Sequence, residues 1–133
     1  MSATFADTSY YLALVNPDDE FHALASEITP ELDGPMVTTA WVLTELANAL
    51  RRGPDRSLAV RLIRKCHVDP RVTIIPPTKA LFDAGFELFA RRADKEWSLT
   101  DCISFLVMRE QGLRDALSAD RHFEQAGFTI LLK

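Results

Sequence analysis

No lysine or arginine occurs in the first 50 residues of this 133-residue chain, although 15 follow. That first stretch holds eight acids: Asp7, Asp18, Asp19, Glu20, Glu27, Glu31, Asp33 and Glu45. Its formal charge is −8, against +4 for residues 51–133, where the 15 basic residues face 11 acids. The net −4 thus hides a basic surface that can coexist with an acidic pocket. Cysteine is nearly absent. Cys66 and Cys102 both fall in helical patterns, which excludes a disulfide framework and a thiolate metal cluster and points to a reducing compartment. No window approaches the roughly 18 consecutive apolar residues of a membrane span, and no basic segment precedes an apolar leader. A cytoplasmic protein is therefore expected. Only five glycines are present, and neither GxxxxGK[ST] nor GxGxxG occurs, which argues against a P-loop NTPase or a Rossmann dehydrogenase. What remains is chemistry resting on carboxylates.

The length suits one domain over 1–133. Thr4, Phe5 and Ala6 predict a short buried strand, followed by a helix with Tyr10, Tyr11, Leu12, Leu14 and Val15. A turn at Asn16-Pro17 precedes a second helix with an apolar stripe of Phe21, Leu24, Ala25 and Ile28. Met36 to Ala40 predicts a strand and Val42 to Arg51 a helix; Gly53-Pro54 breaks it before a helix over Ser57 to His67. Val72 to Ile75 predicts the third strand. Thr78 caps a helix to Ala90 whose Leu81, Phe82, Phe86, Leu88 and Phe89 are expected to pack in the core, while Asp83 and Glu87 are compensated by Lys79 and Arg91. Ser98 and Asp101 have capping-box spacing at the start of an apolar helix that ends at Gln111-Gly112. Asp115 to Ala119 predicts a strand, Asp120 to Ala126 a short helix, and Phe128 to Leu132 an edge strand. This order predicts an α/β fold: a three-layer α/β/α sandwich with a mostly parallel central sheet of four to five strands and right-handed crossovers.

Four acids stand where carboxylates are costly or useful. Asp7 lies at a strand-to-helix turn, where capping by Asp7 or Ser9 is a competing explanation. Glu45 has no basic residue one helical turn away. Asp101 lies in the first turn of the apolar helix, and Asp120 directly follows a strand, where open α/β sheets place their chemistry. Gathered at one end of the sheet, these acids repel unless a cation compensates them, and hard oxygen ligands favour Mg²⁺ or Mn²⁺. Metal-dependent phosphodiester hydrolysis and an acid-rich binding fold both stay open on this reading. Arg51, Arg52, Arg56, Arg61, Arg64 and Lys65 are dense enough for phosphate contacts with a nucleic acid. His67 reads as a surface or capping residue, and His122, two residues after Asp120, as one that could reach substrate.

The segments ADTSYYLAL, TTAWVLTELANAL, WSLTDCISFLVMRE and LSADRHFEQAGF, in this order, resemble the PIN-domain family, and more closely its VapC-like ribonuclease toxins of toxin–antitoxin systems. The likeness spans nearly the whole chain and implies a PIN-like fold. It further implies an endoribonuclease that uses Mg²⁺, with Mn²⁺ as substitute, and leaves 5′-phosphate and 3′-hydroxyl ends. By the same resemblance Asp7, Glu45 and Asp101 form the principal metal-binding group and Asp120 completes it or acts through water. Ser9 supports the first acid, and Thr100 is a supporting donor. The implied partners are RNA, whether tRNA, rRNA or mRNA, a small antitoxin, and a second copy in a homodimer. A free-standing RNA-processing or quality-control PIN nuclease, or an inactive PIN-like binding module, fits the same motifs.

Overall fold

The computed structural model describes residues 2–133. Five strands, β1 (Thr4–Ala6), β2 (Met36–Thr39), β3 (Val72–Ile75), β4 (Asp115–Leu117) and β5 (Thr129–Ile130), form one sheet in the order β3-β2-β1-β4-β5. Every neighbouring pair is parallel. The helices are α1 (Thr8–Val15), α2 (His22–Ile28), α3 (Ala40–Ala49), α4 (Asp55–Val68), α5 (Lys79–Arg91), α6 (Leu99–Glu110) and α7 (Arg121–Gln125), with a 3₁₀ turn at Thr29–Glu31. α1 packs on α2 and α3, and α3 on α4, whereas α5 packs on α6 and α6 on α7. Right-handed crossovers place these groups on opposite faces, because the chain steps from β1 outward to β3 and then crosses back to β4. The layered α/β/α expectation holds, and the sheet is wholly parallel.

The central strands are short; β1 is buried throughout and β2 and β4 are buried after their first residue, as a parallel sheet covered on both faces requires. Phe5 on β1 meets Phe123 on α7, and Phe105 on α6 contacts Trp97, Phe123 and Phe128, with edge-to-face geometry toward the first two at 5.0 Å. This aromatic cluster locks α6 and α7 onto the strands that carry the candidate acids.

Three local expectations change. α5 turns Leu81, Gly85 and Leu88 inward, and Phe82, Phe86 and Phe89 remain 42%, 48% and 45% exposed. The cause is Gly85. A side chain there would overlap Ile103, so α5 and α6 approach along a seam that the phenylalanines, one residue round the helix, cannot join. The ladder of β4 ends at Leu117, and β5 is confined to Thr129–Ile130. α4 begins at Asp55, directly after Pro54, which suits a helix start.

Candidate metal centre and active site

Strand order creates the site. β1 continues to β2 on one side and has β4 on the other, so the C-terminal ends of β1 and β4 flank a topological switch point. Ala6 pairs with Leu117, and the Asp7 amide donates to the Leu117 carbonyl at 3.1 Å. The next residue of each strand, Asp7 and Ser118, therefore meet. Asp7 occupies the N-cap position of α1, but its side chain makes no capping bond. Instead its Oδ2 accepts from the hydroxyls of Ser118 at 2.9 Å and Ser9 at 3.0 Å. Those hydroxyls accept in turn from the amides of Asp120 (3.0 Å) and Ala119 (3.1 Å), fixing the chain after β4 against the first acid. Sequence reading found Ser9 and missed Ser118; the only sequence signal was a hydroxyl residue two before Asp120.

Asp101 serves two ends at once. The capping box is complete: Ser98 Oγ accepts from the Asp101 amide at 3.0 Å, and Asp101 Oδ2 accepts from the Ser98 amide at 3.1 Å. The same Oδ2 lies 3.1 Å from His122 Nδ1, which is also 3.3 Å from Asp120 Oδ1. Ionised carboxylates only accept, so Nδ1 carries the proton between them. Asp120 caps α7 by accepting from the His122 amide at 2.9 Å, which seats the imidazole beside both acids. Asp101, Asp120 and His122 each offer a ligand atom within 4.8 Å of the others, a grouping able to hold a metal ion.

Glu45 is half-buried on α3 and is reached through α1: its Oε1 accepts from Thr8 Oγ1 at 2.7 Å. Thr8, the residue after Asp7, is thus a positioning group that the sequence reading did not single out. Thr100 makes no hydrogen bond to any of the acids, so the supporting role expected of it is not seen; it is half-buried in the first turn of α6. An open cleft of about 310 Å³ beside the site is lined by Ser9, Asp19, Glu20, Phe21, Ala119 and Asp120.

Burial raises the Asp7 pKa from its ordinary value to about 6; the Ser118 and Ser9 hydrogen bonds oppose the shift and the charge of Asp101 adds to it. Asp101 is also raised, first by burial and then by Asp120, against the Ser98 amide and His122. Asp7 and Asp101 are therefore like charges in a poorly solvated place, with the more exposed Asp120 beside Asp101. This is the donor set that a hard divalent cation stabilises.

The basic residues divide. Arg51, Arg56 and Arg64 line a groove between α3 and α4 with an apolar floor that includes Ala59, Val60 and Ile63. Lys65 lines a different cavity, with Tyr10, Tyr11 and Arg71. Arg52 and Arg61 are exposed in neither cavity, and His67 is exposed with Nδ1 2.9 Å from the Ile63 carbonyl. Among the described residues, no helix is long and apolar enough to cross a membrane.

The model of the PIN domain family matches residues 4–129. The 23S rRNA-specific endonuclease VapC20 of Mycobacterium tuberculosis, from strains H37Rv and CDC 1551 / Oshkosh, is 32% identical over 126 residues, covering 93% of this chain and 94% of the relative. The crystal structure of Mycobacterium tuberculosis VapC20, described as a Sarcin-Ricin loop cleaving toxin, superposes with a TM-score of 0.86 at 29% identity, covering 95% of this chain and 96% of that one. FitAcB from Neisseria gonorrhoeae shares the fold at a TM-score of 0.67 and 15% identity, over 96% and 95% of the two chains. The chain belongs to the PIN domain family.

Proposed function

We propose that this protein is a divalent-metal-dependent endoribonuclease of the VapC toxin class, with Asp7, Glu45, Asp101 and Asp120 as the acids that hold Mg²⁺ or, in its place, Mn²⁺. The observation that carries the reading is the convergence of Asp7, Asp101 and Asp120, coupled through burial and charge, on the switch point between β1 and β4. A bound divalent ion supplies neutralisation of phosphate charge and a water of lowered pKa. The chain's own work is positional. Ser9 and Ser118 aim the Asp7 carboxylate, Thr8 aims Glu45, and the capping box with His122 aims Asp101. In the hydrolysis, a water oxygen bonds to phosphorus as the bond to the 3′ oxygen breaks, leaving a 5′-phosphate and a 3′-hydroxyl.

Ribosomal RNA is the first substrate to offer, because the relative matching 93% of this chain is a 23S rRNA-specific endonuclease. Arg51, Arg56 and Arg64 supply phosphate contacts from the α3–α4 groove. A small antitoxin and a second copy of the chain complete the proposed assembly, in a reducing cytoplasm. The test incubates purified protein with 23S rRNA and with total cellular RNA in Mg²⁺ or Mn²⁺, then maps the new 5′ ends. Cleavage by the wild type and at least a 100-fold loss in Asp101→Asn is expected, with about 10²-fold the order of a single lost electrostatic contact at the reacting centre. Binding of RNA without cleavage in either metal would make the protein an inactive module, and a native pull-down lacking any small partner would make it a free-standing nuclease.

A further inference from the structure

We propose that His122 is itself a metal ligand, through Nδ1, and that this nitrogen makes the site prefer Mn²⁺ to Mg²⁺. The proposal rests on the reading of Asp101 and Asp120 as metal-binding acids and extends it to a residue outside the acid set. Among the described residues, Asp101, Asp120 and His122 are the one group of three acidic, histidine or cysteine side chains whose ligand atoms lie within 4.8 Å of each other. Nδ1 is 3.1 Å from Asp101 Oδ2 and 3.3 Å from Asp120 Oδ1. Neighbouring ligands of an octahedral ion with bonds of about 2.1 Å are about 3 Å apart, so the nitrogen already stands at ligand spacing from both oxygens.

The backbone that carries the ring is held in place. The His122 amide is bonded to Asp120 Oδ1, and the next residue, Phe123, is fully buried against Phe105 and Phe5. Without an ion, Nδ1–H ties the two carboxylates together and keeps them in place. With an ion, the ring presents a bare Nδ1 and carries its proton on Nε2, so no redox or group-transfer step is involved. Mg²⁺ demands oxygen and gives up its waters reluctantly, whereas Mn²⁺, though the weakest binder of the first-row series, accepts an imidazole nitrogen more readily than Mg²⁺ does. A site of two carboxylates and one imidazole therefore discriminates in favour of Mn²⁺.

The experiment uses the full chain without a histidine tag. Mn²⁺ binding is followed by the loss of the free-ion electron paramagnetic resonance signal, Mg²⁺ binding by competition, and nitrogen coordination by electron spin echo envelope modulation. Wild-type protein is expected to bind Mn²⁺ with an imidazole ¹⁴N modulation that survives in His22→Gln and His67→Gln. His122→Asn should lose the modulation and about tenfold or more of the Mn²⁺ affinity, with a far smaller change for Mg²⁺. Mn²⁺ binding that depends on Asp101 but shows no nitrogen modulation would overturn the His122 proposal and leave the acid reading standing. So would unchanged selectivity, or tighter Mn²⁺ binding, in a His122→Asn protein that keeps its circular dichroism. If His122→Asn does not fold, the wild-type modulation decides. Absence of any Mn²⁺ binding by the wild type would remove both readings.

Discussion

At the scale of the residue, the site stores an electrostatic cost that a ligand can release. Asp7 titrates near 6 in the folded chain against 3.8 as a free side chain, so the folded state binds the extra proton between these values. A raised acid pKa means that the Asp7 contribution to stability is highest below about pH 4, falls as pH rises through the window, and levels off above 6. The shift corresponds to at most about 3 kcal/mol. Urea denaturation in chelator should therefore show lower stability at pH 8 than at pH 5, and Asp7→Asn should flatten that slope and raise stability at pH 8. Added Mn²⁺ should reverse the trend, since it binds the ionised form. Ser118→Ala removes a donor to Asp7 and the acceptor of the Asp120 amide. It should cost about 1–3 kcal/mol at pH 8 and less at pH 5, where a protonated Asp7 needs the donor less. Asp101 and Asp120 were legible in the sequence because each follows a recognisable boundary. Ser118 and Thr8 were not, because their partners lie 111 and 37 positions away.

At the scale of the element, α6 shows that cap and site are one construction. Ser98→Ala removes the hydroxyl that accepts the Asp101 amide and should cost about 1 kcal/mol in denaturation experiments. α5 departs from its sequence pattern for an identifiable reason. Its aromatic positions and its Leu81-Gly85-Leu88 line both have helical spacing, and periodicity alone does not say which line meets a neighbour. Gly85 decides it by admitting Ile103. Gly85→Ala, which on an exposed helix would gain about 1 kcal/mol, should here lose about 1–3 kcal/mol through overpacking. In an Ile103→Ala background the same substitution should cost less, and a double-mutant cycle measures that coupling.

At the scale of the whole molecule, basic residues are divided between two cavities. The α3–α4 groove collects Arg51, Arg56 and Arg64, whereas Lys65 faces the cavity of Tyr10 and Tyr11. In an Asp101→Asn background that does not cleave, replacing the three arginines with alanine should lower the salt dependence of RNA binding by about 0.7 per lost phosphate contact on a single strand; Lys65→Ala should leave it unchanged. A salt titration of RNA affinity checks both. Phe82, Phe86 and Phe89 form the exposed apolar row of α5. The proposed homodimer is expected to bury this row, so Phe86→Glu should convert dimer to monomer in sedimentation experiments while leaving Mn²⁺ binding intact.

The sequence by itself determined the alternation of strands and helices, the position of Asp7, Asp101 and Asp120 at element boundaries, and the acidic first part and basic remainder of the chain. These are local properties, carried by hydropathy period, caps and turn residues within a few positions of one another. Tertiary structure alone decided that β4 lies beside β1, which sets Asp7 against Ser118 and Asp120. It also decided that α7 turns His122 between two carboxylates and that three phenylalanines lie on the outer side of α5. These outcomes depend on strand order and on helix approach at Gly85, contacts between residues distant in the chain. Asp101, legible from the outset as a cap, is the residue at which both kinds of information meet.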